Sequence, residues 1–281
     1  MIPANFDYHS PVSLSEALSL LASNEDAKIL AGGHSLLPAM KLRLAQPAML
    51  IDIGRIAGLD YIRDSGDRIR IGALTTHADI AGSPVLHEQS PLLALAAAQI
   101  GDTQVRNRGT IGGSLAQAHP AADYPAAVLA LDAEIVVQSR NGERKIPARD
   151  FFTGMFSTGL DHGEIITEIN VPKTRGEAVA YKKHLHPASG FAVVGVAVRL
   201  KMAGEKIDSA AVAITGVGYN AYRATAVEQA LRGKTKDAFS EAAAHAVDGI
   251  EAVGDTYASA DYRLHLAKVM AGRTLMQALK R

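Results

Sequence analysis

The chain has 281 residues, 48% of them hydrophobic, with 29 basic side chains against 29 acidic ones and no cysteine. Its length exceeds one ordinary domain and predicts two or three, and its zero formal charge argues against the basic excess that nucleic-acid or membrane-surface binding needs. Without cysteine it can supply no thiolate for an iron–sulfur cluster, a thiolate zinc site or a disulfide, so any cluster in a redox function has to sit on another polypeptide. Residues 1–7 show neither a basic n-region nor an apolar h-region, and no apolar run approaches the ~20 residues of a membrane span; a cytoplasmic chain is expected.

In chain order, Ser13 and Glu16 have capping-box spacing, and Leu14, Ala17, Leu18 and Leu21 then share one face, which predicts a helix over 13–22. A buried strand over 29–31 breaks at the glycine pair Gly32-Gly33. A short helix over 36–44 tolerates Pro38 in its first turn, and a strand over 49–53 completes a β-loop-helix-β unit. After a transition over 54–67, residues 68–71 alternate as a half-buried strand. Thr76 with Asp79 marks a helix start. Ser90 and Pro91 supply an N-cap and a proline at N1 for a helix over 91–100, apolar on nearly all sides, hence buried, and stopped by Gly101. A second glycine pair follows in Thr110-Ile111-Gly112-Gly113-Ser114. Then come a helix over 125–131, a strand over 134–138 turned at Asn141-Gly142 into 144–146, and a strand over 164–171 ended by Pro172. Beyond a linker at 173–177 the pattern changes to three long strands, over 178–184, 191–200 and 207–217, with a turn at Ala203-Gly204. Helices over 225–231, 238–253 and 261–279 close the chain, which gives a small α+β unit of three antiparallel strands under helices.

The two glycine pairs carry the chemistry. Glycine pairs admit positive φ and close backbone approach, and consecutive N–H groups in such a turn make an anion nest. One pair alone reads best as a strand-ending turn. Two nests about eighty residues apart, flanked by the hydroxyls of Ser35, Thr110 and Ser114, can hold a diphosphate without a cation. His34 and His119 sit inside these two loops, as ligand contacts or as caps. Residues 216–221 imitate the G-x-G-x-x-A dinucleotide fingerprint, but 231–236 (LRGKTK) is no second parallel strand with an acidic end, so this is a turn. His184 and His186 share a strand face without an obvious third ligand and read as surface or loop histidines. No Walker loop, nucleophile elbow or HExxH helix is present.

Through AGGHS at 31–35, TIGGS at 110–114 and QVRNRG at 104–109, the chain resembles the FAD-binding medium subunit of molybdenum hydroxylases, most closely the aerobic carbon monoxide dehydrogenase type, over essentially its whole length. The resemblance implies an α+β fold: a two-lobed FAD-binding domain of the kind shared with vanillyl-alcohol oxidase and xanthine dehydrogenase flavin domains over 1–175 (lobes about 1–54 and 55–175), then a sheet-plus-helix domain over 176–281. It implies that Ile29, Leu30, Ala31, Gly32, Gly33, His34, Ser35 and Leu36, with Thr110, Ile111, Gly112, Gly113 and Ser114, line the flavin's diphosphate and ribityl chain. Relatives often carry Asn at Ser114 and Thr or Asn near Gln117, also a contact position. Asp123 matches an acidic residue at the cofactor's polar portion; as a plain N-cap before Pro125 it reads equally well. Ile100, Ile166 and Lys182 match positions near the adenine or isoalloxazine, ordinary core packing being the competing account of the isoleucines. Phe191 matches an aromatic that shields one flavin face, with Ser189-Gly190 where relatives have Gly-Asp. The same resemblance implies no catalytic residue and no metal in this chain. A large molybdenum-cofactor subunit and a small subunit with two [2Fe–2S] clusters are the implied partners, in a dimer of heterotrimers. Electrons would leave to a quinone or other acceptor, and docking at the inner face of a membrane would come only through the complex. Carbon monoxide is the first expectation for the substrate, with aldehydes and N-heterocycles as alternatives. Outside this class stand a non-redox binding protein on the same fold and a self-contained flavin oxidoreductase, although no separate substrate domain is visible for the latter.

Overall fold

In the computed structural model, which describes residues 1–280, buried apolar side chains gather into three clusters that follow the chain. The first lies in the segment β1 (Asp7–His9), α1 (Leu14–Ala22), β2 (Ala27–Leu30), α2 (Leu36–Lys41) and β3 (Met49–Asp52), where α1, β2 and β3 supply its buried side chains together with Ile53, Ile56, Leu59 and Ile165, while β1 is exposed. The Ser13 side chain accepts the Glu16 N–H and starts α1, which buries Ala17, Leu18 and Leu21 as their spacing requires. The strands pair in parallel in the order β1-β3-β2, so the turn leaving β2 lies at the carboxyl end of a parallel strand. α2 is shorter than expected: it ends at Lys41, and Arg43 just beyond it takes a left-handed conformation (φ 59°).

The second cluster is built from β4 (Ile62–Ser65), β5 (Arg68–Gly72), α3 (His77–Gly82), α4 (Pro84–Gln89), α5 (Pro91–Ala98), α6 (Thr103–Arg106), α7 (Ile111–Gln117), α8 (Asp123–Ala130), β6 (Glu134–Ser139), β7 (Gly142–Pro147), α9 (Ala148–Phe151), β8 (Phe152–Gly154), β9 (Ser157–Thr158) and β10 (Ile165–Pro172). Five of these strands form one antiparallel sheet in the order β4-β5-β10-β6-β7. α5 buries Leu92, Leu93, Ala94, Ala96 and Ala97, the burial its all-round apolarity demands. In β10 the register against β6 slips between Ile166 and Glu168, a bulge that re-aims the start of the strand.

The third cluster lies under β11 (Ala178–Leu185), β12 (Ala192–Ala203), β13 (Lys206–Thr215) and β14 (Tyr222–Arg223), antiparallel neighbours in chain order. α10 (Thr225–Leu231), α11 (Phe239–Ala244) and α12 (Ala260–Ala278) cover one face. Two expectations are corrected here. The sheet has a fourth strand, the two-residue β14, too short for a periodic signal. The helix expected over 238–253 is only α11, because the chain turns at 245–249 and Gly249 adopts φ 73°. The resulting irregular loop is tied back by Arg263 of α12, which is 7% exposed. Its guanidinium donates to the carbonyls of Val193 and Gly216, both at 2.6 Å, and to Asp255 at 2.5 Å. The second and third clusters meet where α8 packs on β12 and β13, and the Thr215 hydroxyl bonds the Pro120 and Ala122 carbonyls there. No helix among the described residues is long and apolar enough to cross a membrane.

Candidate functional site

A cleft of about 660 Å³ opens between the first and second clusters, with residues 189–191 of the β11–β12 connection closing one side, within the ~300–1,000 Å³ range of sites for small ligands and cofactors. One wall is the turn from β2 into α2. Gly33 there has φ 76°, and a Cβ on Gly32 would lie 2.1 Å from the Arg108 carbonyl oxygen, so only glycine lets this turn rest on the 108–109 backbone. Among the described residues, none of the N–H groups of Gly32, Gly33, His34 and Ser35 donates to a protein acceptor. Four successive free donors at the carboxyl end of a parallel strand form an anion-binding concavity. His34 Nδ1 lies 2.9 Å from the Gly32 carbonyl oxygen and braces the turn.

The second glycine pair behaves differently from expectation. It lies in the first turn of α7 and is not a loop nest. The Ile111 and Gly112 N–H groups donate to the carbonyls of Thr75 and Ala73, that of Gly113 to the Thr110 hydroxyl oxygen, and that of Ser114 to the Thr110 carbonyl. The N–H groups of this pair are therefore already used. Gly112 is glycine for packing, since a Cβ would meet the Ala73 Cβ at 2.6 Å. What this side offers the cleft is the Thr110 N–H and the Ser114 hydroxyl, neither with a protein partner among the described residues.

Of the residues singled out from the sequence, Ile29 through Leu36, Thr110, Gly112, Gly113, Ser114 and Gln117 line this one cleft, together with Ile100, Asp123, Ile166 and Phe191. Two do not. Ile111 is fully buried in the core. Lys182 points to the other face of β11, beside Gln99 and Gln277. Its neighbour Lys183 is the lysine that reaches the site side, as alternation along a strand requires. The Lys183 Nζ donates to Asp123 Oδ2 at 3.0 Å and to the Gly190 carbonyl at 2.6 Å, and the Tyr181 hydroxyl donates to Asp123 Oδ1 at 2.5 Å. Asp123, 4% exposed, is the first residue of α8 and not its N-cap, which is Ala122. Burial pushes its carboxyl pKa up, and the Lys183 ammonium and Tyr181 hydroxyl oppose that push. At the far end, the Phe191 ring stacks on His119 with centroids 4.4 Å apart and planes 13° apart, and Phe156 meets His119 edge-on at 5.1 Å. His119 Nδ1 accepts the Ala121 N–H, and burial lowers its pKa. His77, Phe156 and the 160–166 segment also line the cleft. Apart from Ile166, no sequence pattern pointed to them: His77 reaches the cleft from a helix start, Phe156 and residues 160–164 from irregular segments, and Ile165 from the first residue of β10. Among the described residues, no third metal-binding side chain joins His184 and His186.

An anion-binding turn, a hydroxyl-bearing helix start, a buried acid held by lysine and tyrosine, and isoleucine walls ending in an aromatic stack fit a flavin dinucleotide. They define the class as a protein built to hold FAD. Residues 4–174 match the family model described as the FAD binding domain in molybdopterin dehydrogenase, and residues 179–278 match the CO dehydrogenase flavoprotein C-terminal domain. The chain belongs to this family of molybdenum-dependent oxidoreductase flavin subunits. It is 44% identical over 285 residues to the carbon monoxide dehydrogenase medium chain of Hydrogenophaga pseudoflava, covering 100% of this chain and 99% of that one. It is 42% identical to the 6-hydroxypseudooxynicotine dehydrogenase complex subunit alpha of Paenarthrobacter nicotinovorans, covering 100% and 97%. The solved structure of carbon monoxide dehydrogenase from Hydrogenophaga pseudoflava superposes with a TM-score of 0.97 at 44% identity, over 100% of this chain and 99% of its counterpart.

Proposed function

We propose that this chain is the FAD-binding electron-transfer subunit of a molybdenum hydroxylase complex. In this reading a large partner subunit carries the molybdenum cofactor and oxidises the substrate, and a small partner with two [2Fe–2S] clusters conducts the electrons. An external acceptor such as a quinone receives them. FAD, when bound, supplies the exchange between one-electron and two-electron carriers. The chain's own part is to bind and shield. The Gly32–Ser35 N–H groups neutralise the diphosphate, which would otherwise be costly to bury. Asp123, held in place by Lys183 and Tyr181, accepts from cofactor hydroxyls. Ile29, Ile100 and Ile166 exclude water, and Phe191, backed by His119, covers one end. No general acid or base in this chain is required.

The observation that carries the reading is the turn of free N–H donors opening into a cleft of flavin size. Carbon monoxide is the first choice of substrate, supported by the full-length likeness to a carbon monoxide dehydrogenase medium chain. The comparable likeness to a 6-hydroxypseudooxynicotine dehydrogenase complex subunit keeps the second reading, an aldehyde or N-heterocycle dehydrogenase. The test has two stages. The purified chain should take up FAD and show a flavin absorption spectrum, yet oxidise no substrate alone; a protein that stays colourless in excess FAD, or one active by itself, defeats the proposal. The assembled complex is then given carbon monoxide, an aldehyde and an N-heterocycle in turn, with a quinone as acceptor.

A further inference from the structure

One buried ionisable side chain in the cleft has no part in the reading above. His77 opens α3, and its N–H donates to the Gly109 carbonyl at 3.0 Å. It is 5% exposed, and its ring meets Tyr124 edge-on with centroids 5.2 Å apart. Its Nδ1 is enclosed without a partner. Its Nε2 is not among the enclosed orphan atoms and has no hydrogen-bond partner among the described residues, so this is the nitrogen that opens on the cleft His77 lines. Gly109 makes that approach possible, because a Cβ there would lie 2.5 Å from Nε2. The 108–109 backbone in turn carries Gly32. Imidazole, backbone and donor-rich turn are stacked one on the next, beside Thr110, which bridges to Thr76.

A neutral imidazole has one N–H, and its place follows from the surroundings. Burial pushes the His77 pKa down to about 4, with His34 and Arg106 adding to the effect, so the ring is neutral at pH 7. A proton on Nδ1 would be an enclosed donor with nothing to bond; buried N–H groups without partners are rarer than under-used acceptors. The proton therefore belongs on Nε2, facing the cleft. The charged groups nearby are engaged elsewhere: Asp79 with Thr76, Arg106 with the Ile100 carbonyl, and Asp123 with Lys183.

We propose that His77 is a cofactor-binding residue whose Nε2–H donates to the anionic diphosphate seated between the Gly32–Ser35 turn and Thr110. This rests on the FAD reading above. The test uses the full-length chain, with FAD affinity followed by quenching of flavin fluorescence. His77→Leu keeps the bulk and removes the donor, and should weaken FAD binding by about tenfold or more, the worth of one hydrogen bond to a charged group; His77→Gln should recover part of it. In wild-type protein labelled with ¹⁵N-histidine, the His77 Nε2 signal should move when FAD is added at pH 7. Wild-type affinity in both variants, or a His77 signal indifferent to FAD, overturns the assignment while leaving the FAD reading intact. A wild-type chain that takes no FAD overturns both.

Discussion

At Gly32 a missing side chain decides whether the cleft exists. The atom a Cβ would strike, at 2.1 Å, is the Arg108 carbonyl oxygen, backbone that cannot swing aside. Gly32→Ala should therefore separate the turn from its support, destabilise the chain by about 1–3 kcal/mol as overpacking does, and leave purified protein depleted of flavin. Denaturant unfolding and the ratio of flavin to protein absorbance read the two effects; an alanine variant with full flavin would show that the turn has room. His77 sets a pH dependence in the flavin-free chain. Unfolded, it takes a proton near pH 6.5; folded, only near 4, because burial disfavours the cation. Between those values the unfolded chain binds the extra proton, so stability is level above pH 6.5 and falls as pH drops from 6.5 towards 4. At about 1.4 kcal/mol per pH unit the ceiling of this loss is about 3 kcal/mol. Urea midpoints of wild type and His77→Leu across pH 4.5–7.5 should diverge in that sense, the variant's profile being the flatter; parallel profiles would mean that His77 titrates normally.

Elements built on one strong local signal were legible in the sequence. The Ser13 cap of α1 and the Thr76 cap of α3, with Asp79 three residues on, appear where the residues placed them. So does the hairpin at Asn141-Gly142. The β2-α2-β3 unit was also readable, because a short apolar run into two glycines has few other uses. The misreadings share a cause: tertiary partners override local propensity. Gly112 and Gly113 disfavour a helix, yet α7 forms because Thr110 caps it and the chain at Ala73 leaves space only for glycine. Conversely, the alanine-rich stretch after Phe239 favours one long helix, and the chain leaves it at His245 for a loop that Arg263 holds. β1 is exposed along its length and carries no alternation to read. The cleft's glycine turn could be located from AGGHS, while Lys183 and His77 were not singled out because their places beside the cleft depend on strand phase and on a neighbour's missing Cβ. Arg263 gives the element-scale prediction. Arg263→Met keeps much of the stem but strands the Val193 and Gly216 carbonyls and frees Asp255, and it should cost about 3 kcal/mol in unfolding free energy. Protease nicking should appear within residues 245–259 before the sheet is lost; uniform resistance to cleavage there would show that the loop holds without its arginine.

Across the whole molecule the three apolar clusters are unequal, and the cleft lies between the first and the second. The first lobe has the smallest, resting on Ala17, Leu18, Leu21, Ile51 and a few neighbours, under three strands of three or four residues. Local opening free energies track buried contact, so in the flavin-free chain this lobe should open at lower cost than α5 or β12, which lie within much larger clusters. Its opening removes the Gly32–Ser35 wall, and if that turn holds FAD as proposed, the opened form has no site for it. A ligand that binds only the closed state adds RT ln(1 + [L]/Kd), about 2.7 kcal/mol at a hundredfold excess over Kd. Hydrogen exchange should then show amides of β2 and β3 less protected than those of α5 and β12 without flavin, and slowed by about a hundredfold at that FAD concentration. If they start as protected as α5, the lobe does not open independently. If FAD leaves them unchanged, the opened lobe still holds the cofactor, and the Gly32–Ser35 turn is not what binds it.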